Sequence, residues 1–261
     1  MFLPPGFDRS IALEAAGLVN QAYDQYVKFT QGTAWTLGGN YDALGTLSAK
    51  PQGLFAKVEP FGFVARNRTS GSVFVAFRGT QSIEDWLSNF SFPQVAYSWG
   101  GQAAGQTEKG FKDLYDQCSL DVKTAVQHAP GAPSVFVTGH SLGGALATLA
   151  TADLVGSGVR AAMYNIASPR VGDPVFAGRF NSEVTTRWRI VNTEDIVTTV
   201  PIATPKLLSP MPPHNPLGML LMWANRLDYE HVGDAVTFTT HKGSIIGNHE
   251  MPTYIAALQG P

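Results

Sequence analysis

The chain has 261 residues, 44% of them apolar and 15% charged, with a net charge of −2. That apolar content excludes a disordered chain, and the near-neutral balance lacks the basic footprint of a nucleic-acid binder. The single cysteine, Cys118, excludes an internal disulfide and a Cys-rich metal site. No apolar run reaches the roughly 18 residues of a membrane span; the longest includes Leu220, Leu221, Met222, Trp223 and Ala224. Met1 to Asp8 show neither a basic start nor a long apolar stretch, so no secretory leader is visible. Together with the missing disulfides this leans toward a cytoplasmic protein, or a leaderless form of an exported bacterial enzyme.

From Ser10 to Phe29 the apolar residues Ile11, Ala15, Leu18, Val19, Ala22 and Tyr26 fall at helical spacing, with Asp8 or Ser10 as cap. Strand-like runs follow at Leu54–Val58, Phe61–Arg66 and Val73–Phe77, the last two joined by a turn at Asn67–Gly71. Beyond them helices and short apolar strands alternate. A helix is expected over Gly110–His128, a strand over Val135–Thr138, a helix over Ser141–Leu154 and a strand over Arg160–Ile166. A helix over Asp173–Ser182, strands over Arg187–Val191 and His231–Thr239, and a helix over His249–Leu258 complete the chain. This alternation predicts one α/β domain over residues 1–261, with a mostly parallel central sheet covered by helices on both faces.

The most informative segment is Ser134 to Ala150. It places Gly139-x-Ser141-x-Gly143 between a β-branched run and an Ala-rich helix, the strand–turn–helix setting of a nucleophile elbow. A side chain at position 139 or 143 would obstruct so tight a turn. The serine then sits at a helix start, where N–H groups favour a developing negative charge, and the Leu142 N–H is the natural first oxyanion donor. A second donor is sought in the loop after an earlier strand. Arg78-Gly79-Thr80 follows Val73–Phe77 and offers Thr80, which an ordinary turn explains equally well. For the base, His214, His231, His241 and His249 lie far enough beyond Ser141; His249 directly precedes the last helix, and His231 is the second choice. Next to Ser141, His140 is expected to pack beneath the elbow. Two adjacent carboxylates, Glu194 and Asp195, end a strand where an acid would be needed.

Five ordered segments resemble the class 3 (fungal-type) triacylglycerol lipases. They are Phe77-Arg78-Gly79-Thr80, Thr138 to Gly144 (T-G-H-S-L-G-G), Ser168 to Asp173 (S-P-R-V-G-D), His231-Val232-Gly233 and Asn248-His249-Glu250-Met251. The resemblance implies an α/β-hydrolase fold and a triad of Ser141, Asp195 and His249, with Thr80 and Leu142 as oxyanion donors. Asp195 is placed by the Val-Asn-x-x-Asp-x-Val pattern, which leaves Glu194 to solvent. Two positions depart from the usual pattern: Thr198 stands where a proline often does, and Ala167 replaces the glycine before Ser168.

After Thr80, the residues Ile83, Trp86, Leu87 and Phe90 line one face of a short helical segment, 81–90. Such a stripe usually faces a core. The resemblance implies a lid there, turning toward a lipid–water interface. A Met- and Leu-rich stretch at about 206–227, broken by prolines, is either a second flap or an extra packed helical hairpin. No metal-ligand spacing and no phosphate-binding loop is present, and no cofactor is required. The expected function is hydrolysis of triacylglycerol or related lipid esters through an acyl-enzyme. Phospholipase A1, galactolipase or feruloyl-type esterase activity is the alternative on the same scaffold. A lipase-like binding protein without catalysis is disfavoured because serine and histidine both stand in their motifs. Oligomeric state is not legible.

Overall fold

The computed structural model describes residues 1, 3–51, 56–80, 83, 92–201 and 228–260. Helix α1 (Arg9–Thr30) begins where the Asp8 carboxylate accepts the N–H groups of Ser10 and Ile11, and it buries Ala12, Ala15, Ala16, Leu18, Val19 and Ala22. Strands β1 (Tyr41–Ala49), β2 (Glu59–Asn67) and β3 (Val73–Phe77) form an antiparallel meander. The β2–β3 turn is held by the Asn67 side chain, which accepts the N–H groups of Thr69 and Ser70. Beyond β3 the same sheet continues with parallel pairings, through β6 (Val135–His140), β7 (Ala161–Ile166), β8 (Arg187–Asn192) and β9 (Asp234–Phe238). Among the described residues the result is a seven-stranded sheet in the order β1-β2-β3-β6-β7-β8-β9. Strands β4 (Gln94–Trp99) and β5 (Gln102–Glu108) form a separate hairpin.

Both faces of the sheet are covered, as expected. In β3, Val73, Val75 and Phe77 join the larger core with Val135 and Val137, while Phe74 and Ala76 turn to the face under α1. This period-2 split explains why β3 reads as a continuous apolar run: it is buried on both sides. The larger core packs against α2 (Lys109–Asp116), α3 (Ser119–Gln127), α4 (Leu142–Gly156) and α5 (Pro174–Glu183). Helices α1 and α7 (Met251–Gln259) cover the opposite face. Each fully buried Val, Leu or Phe there stabilises the fold by roughly 1.5–3 kcal/mol.

Three expectations need correction, and one element is new. The strand placed at 54–58 falls partly outside the described residues, and its described part, 56–58, carries no strand; β1 lies upstream instead. The expected helix 110–128 is two helices parted at Gln117–Cys118, where the Gln117 side chain turns away to accept the Lys50 N–H at 2.9 Å. Apolar spacing runs on through Phe111, Leu114, Tyr115, Cys118 and Val122, so periodicity alone does not reveal the break. The hairpin β4–β5 was not anticipated, although its Gly100-Gly101 turn between alternating residues is a recognised hairpin signal. Finally, His249 ends a short helix, α6 (Ile245–His249), rather than starting the last one. The candidate lid, apart from Ile83, and the apolar stretch 206–227 lie outside the described residues.

Candidate active site

The parallel strands deliver the candidate residues to one edge of the sheet. Thr80 follows the end of β3, Ser141 follows β6 and Asp195 follows β8, all at the C-terminal ends where open α/β sheets place their ligands.

Ser141 joins β6 to α4 with φ +58° and ψ −128°, a conformation that a non-glycine residue adopts only under strain. The neighbouring glycines are dictated by contact. A Cβ on Gly139 would lie 2.0 Å from the Gly143 carbonyl oxygen, and one on Gly143 would lie 2.5 Å from the Arg78 oxygen. Gly143→Ala is therefore expected to lose more than about 3 kcal/mol of stability, read from urea unfolding, because both clashes are with backbone. An alanine variant of wild-type stability would contradict this packing.

His249 and Asp195 meet through a 2.8 Å hydrogen bond from Nδ1 to Oδ2, and both are almost completely buried. Asp195 is further held by the Tyr254 hydroxyl, which donates to Oδ2 at 2.6 Å, and by the Val197 N–H, which donates to Oδ1 at 2.9 Å. With the carboxylate accepting from Nδ1, the neutral imidazole of His249 has its lone pair on Nε2. His249 Nε2 and Ser141 Oγ are both buried without a hydrogen-bond partner. The His249 ring lies 4.6 Å from that of His140, the residue before the serine. A cavity of about 370 Å³ opens here, lined by Thr80, Ile83, His140, Ile246, His249 and Met251 among others. A larger one of about 670 Å³ lies at the opposite, N-terminal ends of β6 and β7 and holds none of these groups.

The remaining sequence candidates fall as follows. Leu142 opens α4, and Thr80 borders the cavity. Ile83 is buried and lines the same cavity, while Trp86, Leu87 and Phe90 lie outside the described residues. Glu194 is half-exposed and pairs with His241 at 3.3 Å, away from the buried centre. His231, the second choice for the base, is taken up elsewhere: its Nε2 donates to the Thr198 carbonyl at 2.7 Å.

Several residues that hold the site were not foreseen. Arg170 donates to the carbonyls of Thr199 and Pro201 and its N–H to that of Val200, so with His231 it captures every carbonyl from 198 to 201. That clamp fixes the loop carrying Asp195. Asn192 donates to the carbonyls of Thr240 and Asn248, and Asn248 donates to that of Glu194, which buckles the acid loop to the histidine loop. These contacts explain the asparagines in the Val-Asn-x-x-Asp and Asn-His segments. Tyr254 had no local signal, because it lies in a helix whose other buried residues are apolar or Thr.

Burial holds two histidines neutral. His140 is pushed well below the ordinary imidazole range by burial, with the neighbouring His249 adding to the effect. His231 is depressed to about 3 by burial and by the positive Arg189 and Arg170. In the unfolded chain such groups take up protons below pH of about 6.5, while the fold excludes them, so the unfolded state binds more protons and stability falls on acidification. His231→Gln, which keeps a donor for Thr198, is expected to reduce that dependence between pH 6.5 and 4.5. The reduction is up to one proton, about 1.4 kcal/mol per pH unit. Urea unfolding at both pH values measures it; identical slopes would count against a neutral buried His231.

Residues 74–204 match the family described as Lipase (class 3). The chain belongs to the class 3 lipase family. Among curated relatives, this class 3 lipase chain is 32% identical over 142 residues to the secreted mono- and diacylglycerol lipase 1 of Fusarium solani, covering 53% of the chain and 42% of that protein. It is 31% identical over 223 residues to a chloroplastic phospholipase A(1) of Arabidopsis thaliana, covering 75% of the chain and 48% of that protein. The match thus spans under half the length of these relatives. The solved triacylglyceride lipase of Rhizomucor miehei superposes with a TM-score of 0.61 at 28% identity, covering 76% of the chain and 77% of that structure. This shows the α/β-hydrolase fold expected from the motifs. It also corrects the leaning toward a cytoplasmic protein, which conflicts with a relative that is a secreted lipase. The lack of an internal disulfide was weak ground for a compartment, since export does not require one.

Proposed function

We propose that this chain hydrolyses carboxylic esters of lipids, with triacylglycerol or a partial glyceride as substrate and Ser141 as nucleophile. The observation that carries this proposal is the buried Asp195–His249 pair, with His249 Nε2 and the Ser141 hydroxyl left without partners and a cavity lined by His249 and by His140, the residue before the serine. His249 Nε2 takes the Ser141 proton as Oγ attacks the ester carbonyl, and the N–H groups of Thr80 and Leu142 receive the oxyanion. The protonated imidazole, stabilised by Asp195, gives its proton to the leaving alkoxide. Water, activated by the same nitrogen, then releases the acid and restores the serine. Proton and electron balance closes without a cofactor.

Neutral glycerides are favoured over phospholipids by the cavity lining, which carries the carboxylates of Asp24 and Glu250 and no Lys or Arg among its described residues. A negative field opposes an approaching phosphate. Buried Ile83 lines the same cavity as Thr80 and adds an apolar wall suited to an acyl chain.

A fluorophosphonate probe followed by peptide mapping tests the nucleophile: the label is expected on Ser141, and a label elsewhere would overturn the assignment. A panel of emulsified triglycerides, dissolved p-nitrophenyl esters and phosphatidylglycerol vesicles tests the substrate. Faster turnover of the anionic phospholipid would overturn the preference for neutral lipid, and a preference for soluble aromatic esters would overturn the assignment to lipid esters.

A further inference from the structure

Helix α1 lies outside the segment that matches the family, yet one of its side chains reaches the centre of the site. The Gly79 N–H donates to the Tyr23 hydroxyl oxygen at 2.9 Å, and that hydroxyl lies 2.8 Å from His140 Nδ1. The other nitrogen of His140, Nε2, lies 2.7 Å from the His249 carbonyl oxygen. We infer that Tyr23 is a positioning residue for acyl transfer, its hydroxyl holding the Arg78–Gly79 peptide that leads into the Gly79–Thr80 peptide and tying it through His140 to the backbone of His249. The inference rests on the roles proposed above for Ser141, His249 and Thr80.

Only one arrangement of protons satisfies these contacts. A carbonyl only accepts, so His140 Nε2 carries the hydrogen bonded to His249. Burial keeps His140 neutral, which leaves Nδ1 a bare acceptor. The Tyr23 O–H therefore donates to Nδ1, and its lone pair accepts from Gly79. Burial also raises the Tyr23 phenol well above its ordinary range, so the donor is retained.

The second anchor completes the geometry. The Gly79 carbonyl accepts from the Arg78 guanidinium at 2.8 Å, and that guanidinium is held between the rings of Tyr26 and Phe61 and paired with Glu59. The Gly79 C=O and the Thr80 N–H belong to one planar peptide. Fixing the carbonyl from one side and the preceding N–H from the other leaves the Thr80 N–H a single direction. Gly79 is seated so closely that a Cβ on it would lie 2.6 Å from the Tyr23 oxygen and 2.8 Å from the Ser141 Cβ. The oxyanion donor and the base are thus held in register by one chain of hydrogen bonds running under the serine. An oxyanion donor acts only when aimed at the charge before it forms, and misplacement by about 1 Å costs on the order of a hundredfold.

Tyr23→Phe removes the oxygen and keeps the ring. With p-nitrophenyl butyrate, kcat is expected to fall roughly ten- to a hundredfold while KM changes less than about twofold. Affinity for an alkyl boronic acid, which forms a tetrahedral adduct on serine, is expected to fall by the same factor as kcat. Affinity for a fatty alcohol, which forms none, should stay unchanged. A merely structural role would lower the melting temperature without that split. Should Tyr23→Phe not fold, 3,5-difluorotyrosine incorporated at position 23 keeps the shape and weakens the oxygen as an acceptor, and a lower kcat at unchanged KM is expected. Wild-type kcat in either protein, or equal losses for boronic acid and alcohol, would overturn the inference. Fluorophosphonate labelling of wild type separates the two failures. Without a label on Ser141 the nucleophile assignment and the inference fall together; with the label present and kcat unmoved, only the Tyr23 inference falls.

Discussion

Ser141→Ala is expected to reduce kcat for a p-nitrophenyl ester by about a million-fold, the scale seen when a hydrolase loses the nucleophile of a cooperating triad. The fold should not suffer. The Ser141 hydroxyl is buried and makes no hydrogen bond, so removing it breaks none and relieves the desolvation of a polar group. Alanine also accepts the positive φ of this position no worse than serine does. Thermal unfolding should therefore give a midpoint at or slightly above that of the parent, while burst kinetics disappear. Activity above about one per cent of wild type in a verified Ser141→Ala preparation would mean that another group attacks the ester.

Asp195→Asn is the second large effect, with kcat expected to drop about ten-thousand-fold at nearly constant KM. Asp195 Oδ2 accepts from both His249 Nδ1 and the Tyr254 hydroxyl, and Oδ1 accepts from the Val197 N–H. An amide supplies one oxygen for three donors. If that oxygen stays with Val197, the NH2 group faces the imidazole, which then offers Nδ1 as acceptor and carries its hydrogen on Nε2. In that tautomer it cannot take the serine proton. Glu194→Gln is the control: its half-exposed side chain pairs with His241, and less than a twofold change is expected. An Asp195→Asn enzyme that kept about a tenth of wild-type kcat would remove Asp195 from its proposed role.

Much of the architecture was legible because it leaves periodic traces. β3, β6 and β7 are mainly apolar short runs, β8 alternates Arg187 and Arg189 with Trp188 and Ile190, and α1 and α4 show helical spacing or a small-residue run that fits tight packing on the sheet. The elbow was legible for a different reason. Its glycines are demanded by backbone contacts of 2.0–2.5 Å that any side chain would violate, so the local geometry writes itself into residue identity. β1 escaped notice because it is an edge strand with a bulge between Ala43 and Gly45, which disturbs its alternation. The break at Gln117 escaped because a bent helix and a straight one can share the same apolar positions.

Residue types and their spacing, taken alone, determined the strand–turn–helix around Ser141 and the alternation that makes a doubly covered sheet; they left Glu194 beside Asp195 and His231 beside His249, pairs that only the family resemblance separated. Only the tertiary structure decided which side chains hold those groups in place. Tyr23 meets His140 across 117 positions of chain and Tyr254 meets Asp195 across 59, and each looks locally like an ordinary helical tyrosine. Arg170 and His231 likewise close on the acid loop from distant segments. A turn constrains its own residues through sterics within a few bonds, and so is visible in sequence. A hydrogen bond between remote segments constrains only their relative placement, which exists once the sheet has brought them together.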